Sequence, residues 1–307
     1  MKIAVLGAGA MGSIYGGHLS LENEVYMIDK KQELVNKINS DGLKIFENGT
    51  DTVYKPTAFS DSRNLNNVDL VILFVKSLFS REALKENSHI IGDNTYVMTL
   101  QNGAGHEEII SEFVPMERII IGTTEDNGAV LENGYVKRGG KGKTNIGMLV
   151  PDNENVLDRV KESFDKCGFD THIYENIQQL IWDKLFTNVS LSALTGVLQV
   201  PIGYIARDEY AWNMTVTLIK EALNVAEALG LKFNENEIVE RVKNVSINSP
   251  EGLTSIYADL KAGRKTEVDT ISGAVVRAGE KTGVSVPSHK LIVNMVHAME
   301  NKAKQGG

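Results

Sequence analysis

Two patterns in this chain of 307 residues predict an α/β unit followed by an all-α unit. Through residue 175, short apolar runs alternate with stretches of helical spacing, which implies a doubly wound, mostly parallel sheet. From residue 176 onward the apolar positions recur every three or four residues, which implies helices packed on helices. The expected domains are therefore 1–175 and 176–307. The length agrees with two domains of roughly 150 residues each.

Taken in order, 2–6 (KIAVL), 24–28 (EVYMI), 69–75 (DLVILFV), 95–100 (TYVMTL) and 118–122 (RIIIG) read as buried parallel strands, by their length and bounding turn residues. Helices are expected over 11–21, with Met11, Ile14, Tyr15 and Leu19 on one side, and over 31–40, 79–90 and 105–113. The glycine-rich stretch 129–147 contains an Asn-Gly pair and predicts antiparallel hairpin strands that close the sheet. A helix over 154–167 and a strand near 169–174 complete the first domain. The second domain predicts helices at 176–198, 208–229, 235–246, 251–262, 267–282 and 287–304. Ser249 before Pro250 reads as a helix cap with proline at the first helical position. Gly230 and Gly283 stand where helix ends need a left-handed residue.

Composition narrows the function classes. The chain is 42% hydrophobic and 23% charged, which is ordinary for a globular protein. With 32 basic and 40 acidic residues its net charge is −8, which argues against a nucleic-acid binder. Small anions remain open, because they respond to local fields. The longest apolar run, Leu70 to Val75, is six residues, far below the ~20 a membrane helix needs. The N-terminus enters a folded pattern at once, so no targeting segment is expected. The single cysteine, Cys167, forms no internal disulfide, which fits a reducing, cytoplasmic setting.

The sharpest motif is Gly7-Ala8-Gly9-Ala10-Met11-Gly12, a GxGxxG between a predicted strand and a predicted helix. In that context Gly7 permits the tight turn, Gly9 lets backbone N–H groups reach a pyrophosphate, and Gly12 permits close packing of helix on strand. With Ala10 and Met11 opening the helix, these residues define a Rossmann dinucleotide-binding domain. Asp29 ends the second strand, where an acidic residue accepts hydrogen bonds from ribose hydroxyls and repels a 2′-phosphate, and so favours NAD(H). Lys30 and Lys31 follow and offset that repulsion, so the choice between NAD(H) and NADP(H) stays open. HExxH, GxSxG and Walker patterns are missing, and the six histidines form no evident ligand pair, so no metal is expected.

In the second half, Lys184, Asn188 and Ser192 recur every four residues and share one helix face, flanked by Leu180, Ile181, Leu185 and Leu191. Such a row suits a small polar ligand, or else a solvent-facing stripe. Ser255 and Asp259 share a face of a later helix, and Glu267 is expected in the first turn of the next, where capping alone would also account for it. Gln101-Asn102-Gly103 and Lys76 follow strand C-termini, where open α/β sheets bind ligands, though a lysine at a helix entry is also ordinary.

Together, GAGAMG at 7–12, VK at 75–76, QNG at 101–103, the Lys184-x-x-x-Asn188 spacing, and S-x-x-x-D with RKTEVD across 255–269 resemble the ketopantoate reductase family over nearly the whole chain. The resemblance implies an N-terminal Rossmann domain, a C-terminal helical domain, and an active site in the cleft between them. It implies NADP(H)-dependent reduction of a small anionic 2-oxo acid to the (R)-2-hydroxy acid. Carried over by motif, Lys184 is the general acid and Glu267 the carboxylate that orients the site and the cofactor. Asn102 lies at nicotinamide and substrate, Ser255 binds the substrate carboxylate, Asn188 a substrate hydroxyl or carbonyl, and Lys76 the cofactor side. Two residues depart from the pattern: Ser192 stands where the family often has a second asparagine, and Asp29 where NADPH enzymes carry a basic or small residue. Some relatives are NADH-dependent, mandelate-type D-2-hydroxyacid dehydrogenases, and this chain is also compatible with that branch. A dinucleotide-binding redox sensor shares the glycine loop without needing the Lys184 face. Apolar stripes on the C-terminal helices suit a homodimer as well as a core.

Overall fold

A computed structural model of the chain describes residues 1–305. The described residues divide into two compact units, one of residues 1–101 and 106–177, the other of residues 102–105 and 178–305.

The first unit is a doubly wound α/β fold with a second sheet added. Its strands are β1 (Lys2–Leu6), β2 (Glu24–Ile28), β3 (Leu43–Glu47), β4 (Thr50–Tyr54), β5 (Thr57–Phe59), β6 (Leu70–Leu73), β7 (Tyr96–Thr99), β8 (Ile119–Thr124), β9 (Asn127–Glu132), β10 (Tyr135–Gly140), β11 (Lys143–Gly147) and β12 (Asp170–Ile173). Its helices are α1 (Ala10–Leu19), α2 (Gln32–Asp41), α3 (Ser80–Glu86), α4 (His106–Ile110) and α5 (Val156–Lys166). The main sheet runs β12-β11-β8-β7-β6-β1-β2-β5, parallel throughout except where β11 meets β8. Its central strands, β1, β6 and β7, are nearly all apolar and buried on both faces, as helix-covered parallel strands must be.

The hairpin expected to close this sheet does something else. Only β11 joins it, while β9 and β10 form a separate sheet in the order β4-β3-β10-β9. The physical reason lies in α1. Its residues from Gly12 to Leu19 are all buried, so the helix has no solvent face. On one side the Met27 sulfur lies 2.2 Å from where a Cβ on Gly16 would stand; on the other Ile45 of the second sheet lies 2.8 Å from that of Gly17. Two adjacent glycines thus let α1 lie between two sheets. A buried polar cluster ties the layers together. The Arg138 guanidinium of β10 pairs with Asp126 at 2.7 Å and with Glu47 of β3 at 3.4 Å, and lies 3.4 Å from His18 of α1. Burial pushes His18 down to about 4, against the pull of Glu47 and with the help of Arg138.

The second unit is all α: α6 (Ile177–Leu198, whose first residue lies in the other unit), α7 (Ile202–Ile205), α8 (Glu209–Ala228), α9 (Glu235–Asn248), α10 (Ser255–Lys261), α11 (Ser272–Thr282) and α12 (Pro287–Gln305). Asp208, Asn234 and Thr254 cap α8, α9 and α10 by accepting backbone N–H bonds. Gly283 ends α11 in the left-handed conformation.

Two expectations fail here. Ser249 is no helix cap: α9 runs to Asn248, and Pro250 sits in the turn that packs against Gly203 of α7. The next helix starts at Ser255 because Thr254 supplies the cap. Glu267 does not lie in a helix either. Residues 267–271 form tight turns, with the Thr270 and Ile271 N–H groups donating to the Glu267 carbonyl, and α11 starts only at Ser272.

Candidate active site

In the first unit the useful groups are backbone groups. Gly7 has φ +100°, and a Cβ there would stand 2.7 Å from the Val75 nitrogen, so the end of β1 lies hard against the end of β6. A Cβ on Gly12 would stand 1.9 Å from the Gly7 carbonyl oxygen. Around Gly9 nothing lies within 4 Å of that position. Two glycines therefore fold the loop and the middle one leaves open space over the start of α1, where Ala10 and Met11 present first-turn N–H groups. That is the cradle a pyrophosphate fits.

Asp29 stands beside this loop and stiffens it. One carboxylate oxygen accepts the Ala8 N–H at 2.9 Å and the other the Lys31 N–H at 3.0 Å. Each oxygen keeps acceptor capacity for a ribose hydroxyl. A cleft of about 690 Å³ opens alongside, lined among others by Gly7, Asp29, Lys31, Asp61, Val75 and Phe79. Two of its three cations are matched by carboxylates. Lys30 binds Glu82 at 2.6 Å and Glu86 at 2.9 Å, and Arg63 binds Asp61 at 2.7 Å. Gln101, which sequence reasoning passed over as a mere neighbour of Asn102, joins two strand ends by donating to the Val75 carbonyl at 2.6 Å. Lys76 is half-buried just beyond β6.

The second unit carries side-chain chemistry. Lys184 and Asn188 are half-buried on α6 and Ser192 is buried one turn further on, so the row faces neither open solvent nor a dry core. The start of α10 is fixed to this turn. Thr254 pairs with Thr195 at 2.9 Å and donates to the Ser192 carbonyl at 3.3 Å, and the next residue is the exposed Ser255. Asp259, four residues on, binds Arg264 at 2.9 Å and so shapes the chain toward Glu267, which is half-buried.

Asn102 belongs to this unit as well, since residues 102–105 pack with the helices. Ala104 is buried in the helical core and donates its N–H to the Thr270 carbonyl at 2.9 Å. Gly103, at φ +104°, meets the same carbonyl so closely that a Cβ would stand 2.1 Å from its oxygen. Lys184, Asn188, Ser192, Ser255, Glu267 and Asn102 thus all belong to one unit, contributed by two helices, one turn and one inserted loop. Thr254, Thr266 and Glu300, which hold that frame, were not singled out from sequence. Capping logic exposes Thr254, whereas the other two are visible only in the fold.

A glycine-loop α/β unit joined to a helical unit that presents a lysine, a carboxylate and amides is the architecture of a dinucleotide-dependent oxidoreductase. Residues 3–151 match the family model of ketopantoate reductase PanE/ApbA and residues 176–300 that of its C-terminal domain. The chain belongs to this ketopantoate reductase family. It is 30% identical over 302 residues to a 2-dehydropantoate 2-reductase of Streptococcus pyogenes serotype M6, and 32% identical over 302 residues to one of Pyrococcus horikoshii, covering 98% of both chains in each case. Among solved structures it is similar to D-mandelate dehydrogenase with NADH and anilino(oxo)acetate, at 33% identity and TM-score 0.89, with 99% of each chain covered. A PanE/ApbA family ketopantoate reductase from Ralstonia eutropha JMP134 aligns at 26% identity and TM-score 0.89, covering 99% of this chain and 100% of that one.

Proposed function

We propose that this protein reduces 2-dehydropantoate to (R)-pantoate, with residues 1–175 holding a nicotinamide dinucleotide and residues 176–307 carrying the proton donor and substrate contacts. The observation that carries this reading is the row of half-buried Lys184 and Asn188 and buried Ser192, held in one unit with Ser255, Glu267 and Asn102. Gly7, Gly9, Ala10, Met11 and Gly12 would hold the diphosphate, Asp29 the adenosine ribose, and Lys76, Asn102 and Glu267 the nicotinamide end. The bound dinucleotide supplies a hydride to the carbonyl carbon. The residues do the rest. Lys184 gives its proton to the carbonyl oxygen as alkoxide character grows there, a contribution felt more in the transition state than in the ground state. Glu267 orients the lysine ammonium, Ser255 and Asn188 bind the carboxylate and carbonyl ends, and Ser192 lines the far side.

For the cofactor we read NADH over NADPH. The support is the carboxylate of Asp29 beside a cleft whose Lys30 and Arg63 are already engaged by Glu82, Glu86 and Asp61. The same observation, with Ser192 in the place of an asparagine, favours a second reading: an NADH-dependent D-2-hydroxyacid dehydrogenase acting on branched or aromatic 2-oxo acids. The structure aligned at 33% identity is itself a D-mandelate dehydrogenase solved with NADH. A buried lone Cys167 supports a reducing, cytoplasmic setting, and no helix of the described residues is long and apolar enough to cross a membrane. The deciding experiment measures NADH and NADPH oxidation with 2-dehydropantoate, 2-oxoisovalerate and benzoylformate. Tenfold or greater preference for 2-dehydropantoate establishes the first reading, preference for benzoylformate the second. Tight cofactor binding without turnover on any 2-oxo acid removes both.

A further inference from the structure

The turn that carries Glu267 has no helix to define it, yet it is anchored on both sides of that residue. Thr266, buried just before Glu267, donates both its N–H and its hydroxyl to one carboxylate oxygen of Glu300 on α12, each at 2.7 Å. Glu300 is only 7% exposed. Its other oxygen meets His297 Nδ1 at 3.0 Å, and the opposite nitrogen of that ring meets Asp269 at 3.0 Å. Arg277 of α11 donates to the Asp269 carbonyl at 2.8 Å. Anchors thus flank Glu267 at positions 266 and 269, and both lead to one histidine–glutamate pair. The same turn supports the loop of Asn102 from its other end, through the Thr270 carbonyl that accepts the Ala104 N–H. A buried carboxylate with three polar contacts around it is costly to assemble for packing alone, since an apolar side chain would fill that volume without the desolvation penalty.

We infer that Glu300, braced by His297, is a positioning residue for the reaction: it sets the Glu267 turn, and through Thr270 the Asn102 loop, in register for catalysis. This rests on Glu267 being a site carboxylate as proposed above. Glu300 touches neither substrate nor cofactor; it acts by fixing the backbone from which Glu267 projects. A displacement of about 1 Å at such a group costs on the order of 100-fold in rate.

The test is a double-mutant cycle on the full chain, reading kcat, KM, dinucleotide affinity by fluorescence titration, and melting temperature. Glu300→Ala is expected to lower kcat by about 10- to 100-fold with dinucleotide affinity unchanged. Glu300→Gln, whose amide oxygen still accepts both Thr266 bonds, is expected to stay within about threefold of the parent. In the Glu267→Gln background, Glu300→Ala should cost clearly less than in the parent, because the part of its effect that passes through Glu267 is already lost and only the part through the Asn102 loop remains. Should Glu300→Ala melt below the assay temperature, Thr266→Val takes its place in the cycle with a several-fold loss and the same non-additivity. Parental kcat in a folded Glu300→Ala, or equal losses in both backgrounds, overturns the inference while leaving Glu267 in place. Parental kcat in Glu267→Gln instead overturns the Glu267 reading, and the role of Glu300 with it.

Discussion

The two units prepare for chemistry in opposite ways. In the first, the groups proposed to bind are mainly main-chain amides, and the glycines matter by what they lack: Gly7 and Gly12 for packing, Gly9 for open space. In the second, the groups proposed to act are side chains, and the backbone that carries them is tied down through the Thr254 link to α6 and the Glu300 link to the Glu267 turn. A binding surface made of amides is written in consecutive residues, because one tight turn supplies them all. A surface made of side chains is assembled from α6, α10, the 267–271 turn and the 102–105 loop, which are far apart in sequence.

That contrast can be broken most forcefully at Lys184. Lys184→Ala should reduce kcat by about 10³-fold, within the range lost with a general acid, while dinucleotide affinity holds. A parental rate in steady-state assays would remove the side-chain account of the second unit. Next in size, Gly12→Ala forces a methyl group against the Gly7 carbonyl and should destabilise the protein by about 1–3 kcal/mol, read by denaturant melts. Gly9→Ala, with open space around it, should leave the melt unchanged and weaken dinucleotide binding about tenfold, read by titration. If the two glycine variants behave alike, the division between folding and ligand glycines is wrong. Asp29→Ser should move the NADH-to-NADPH ratio of kcat/KM about tenfold toward NADPH, with part of the loss coming from a loosened Ala8 N–H.

The smallest effect sharpens the comparison by sign. Burial holds His18 in the first unit down at about 4, below its unfolded value near 6.5. The unfolded chain therefore binds more protons between those values, and stability contributed by neutral His18 is lost as pH falls through that window. His297 in the second unit goes the other way. Burial opposes its charge, but bonds to Glu300 and Asp269 outweigh that and raise it. Its contribution is fully present below about 6.5 and is lost as pH rises through its folded value. Melting curves from pH 4.5 to 8 should show a flattened acid limb in His18→Asn and a flattened neutral-to-alkaline limb in His297→Asn. Identical pH slopes in parent and variants would remove both assignments.

How much was legible follows the same line. The parallel strands and α1 could be read from apolar runs and the glycine loop, because buried central strands have no polar face to confuse the pattern. The strands β3, β4 and β5 were not: β4 is exposed and shows no alternation of apolar and polar, β5 is only three residues long, and the alternation in β3 covers only Leu43 to Ile45. The placement of β9 and β10 in a second sheet depends on a partner, β3, some ninety residues upstream. The glycines at 16 and 17 carried the one available hint, a helix with no room on either side for a side chain. In the helical unit the Lys184 row was visible because it sits on one helix. The link from Thr266 to Glu300 was not, since 34 residues and a helix separate the partners.

The short visit of residues 102–105 to the helical unit has a consequence for how the molecule comes into being. Ala104 is synthesised long before the helices of residues 178–305, whose apolar residues form the core it belongs to. As the chain emerges, this loop stays unburied until the helices it packs with are made. Residues 178–307 produced alone would fold around a gap where Ala104 belongs, and the Thr270 carbonyl would lose that donor. A synthetic peptide spanning the loop, added to such a fragment, should therefore raise its melting temperature. Helices made later complete a piece laid down much earlier in the chain, so the helical unit matures only after those helices have been made.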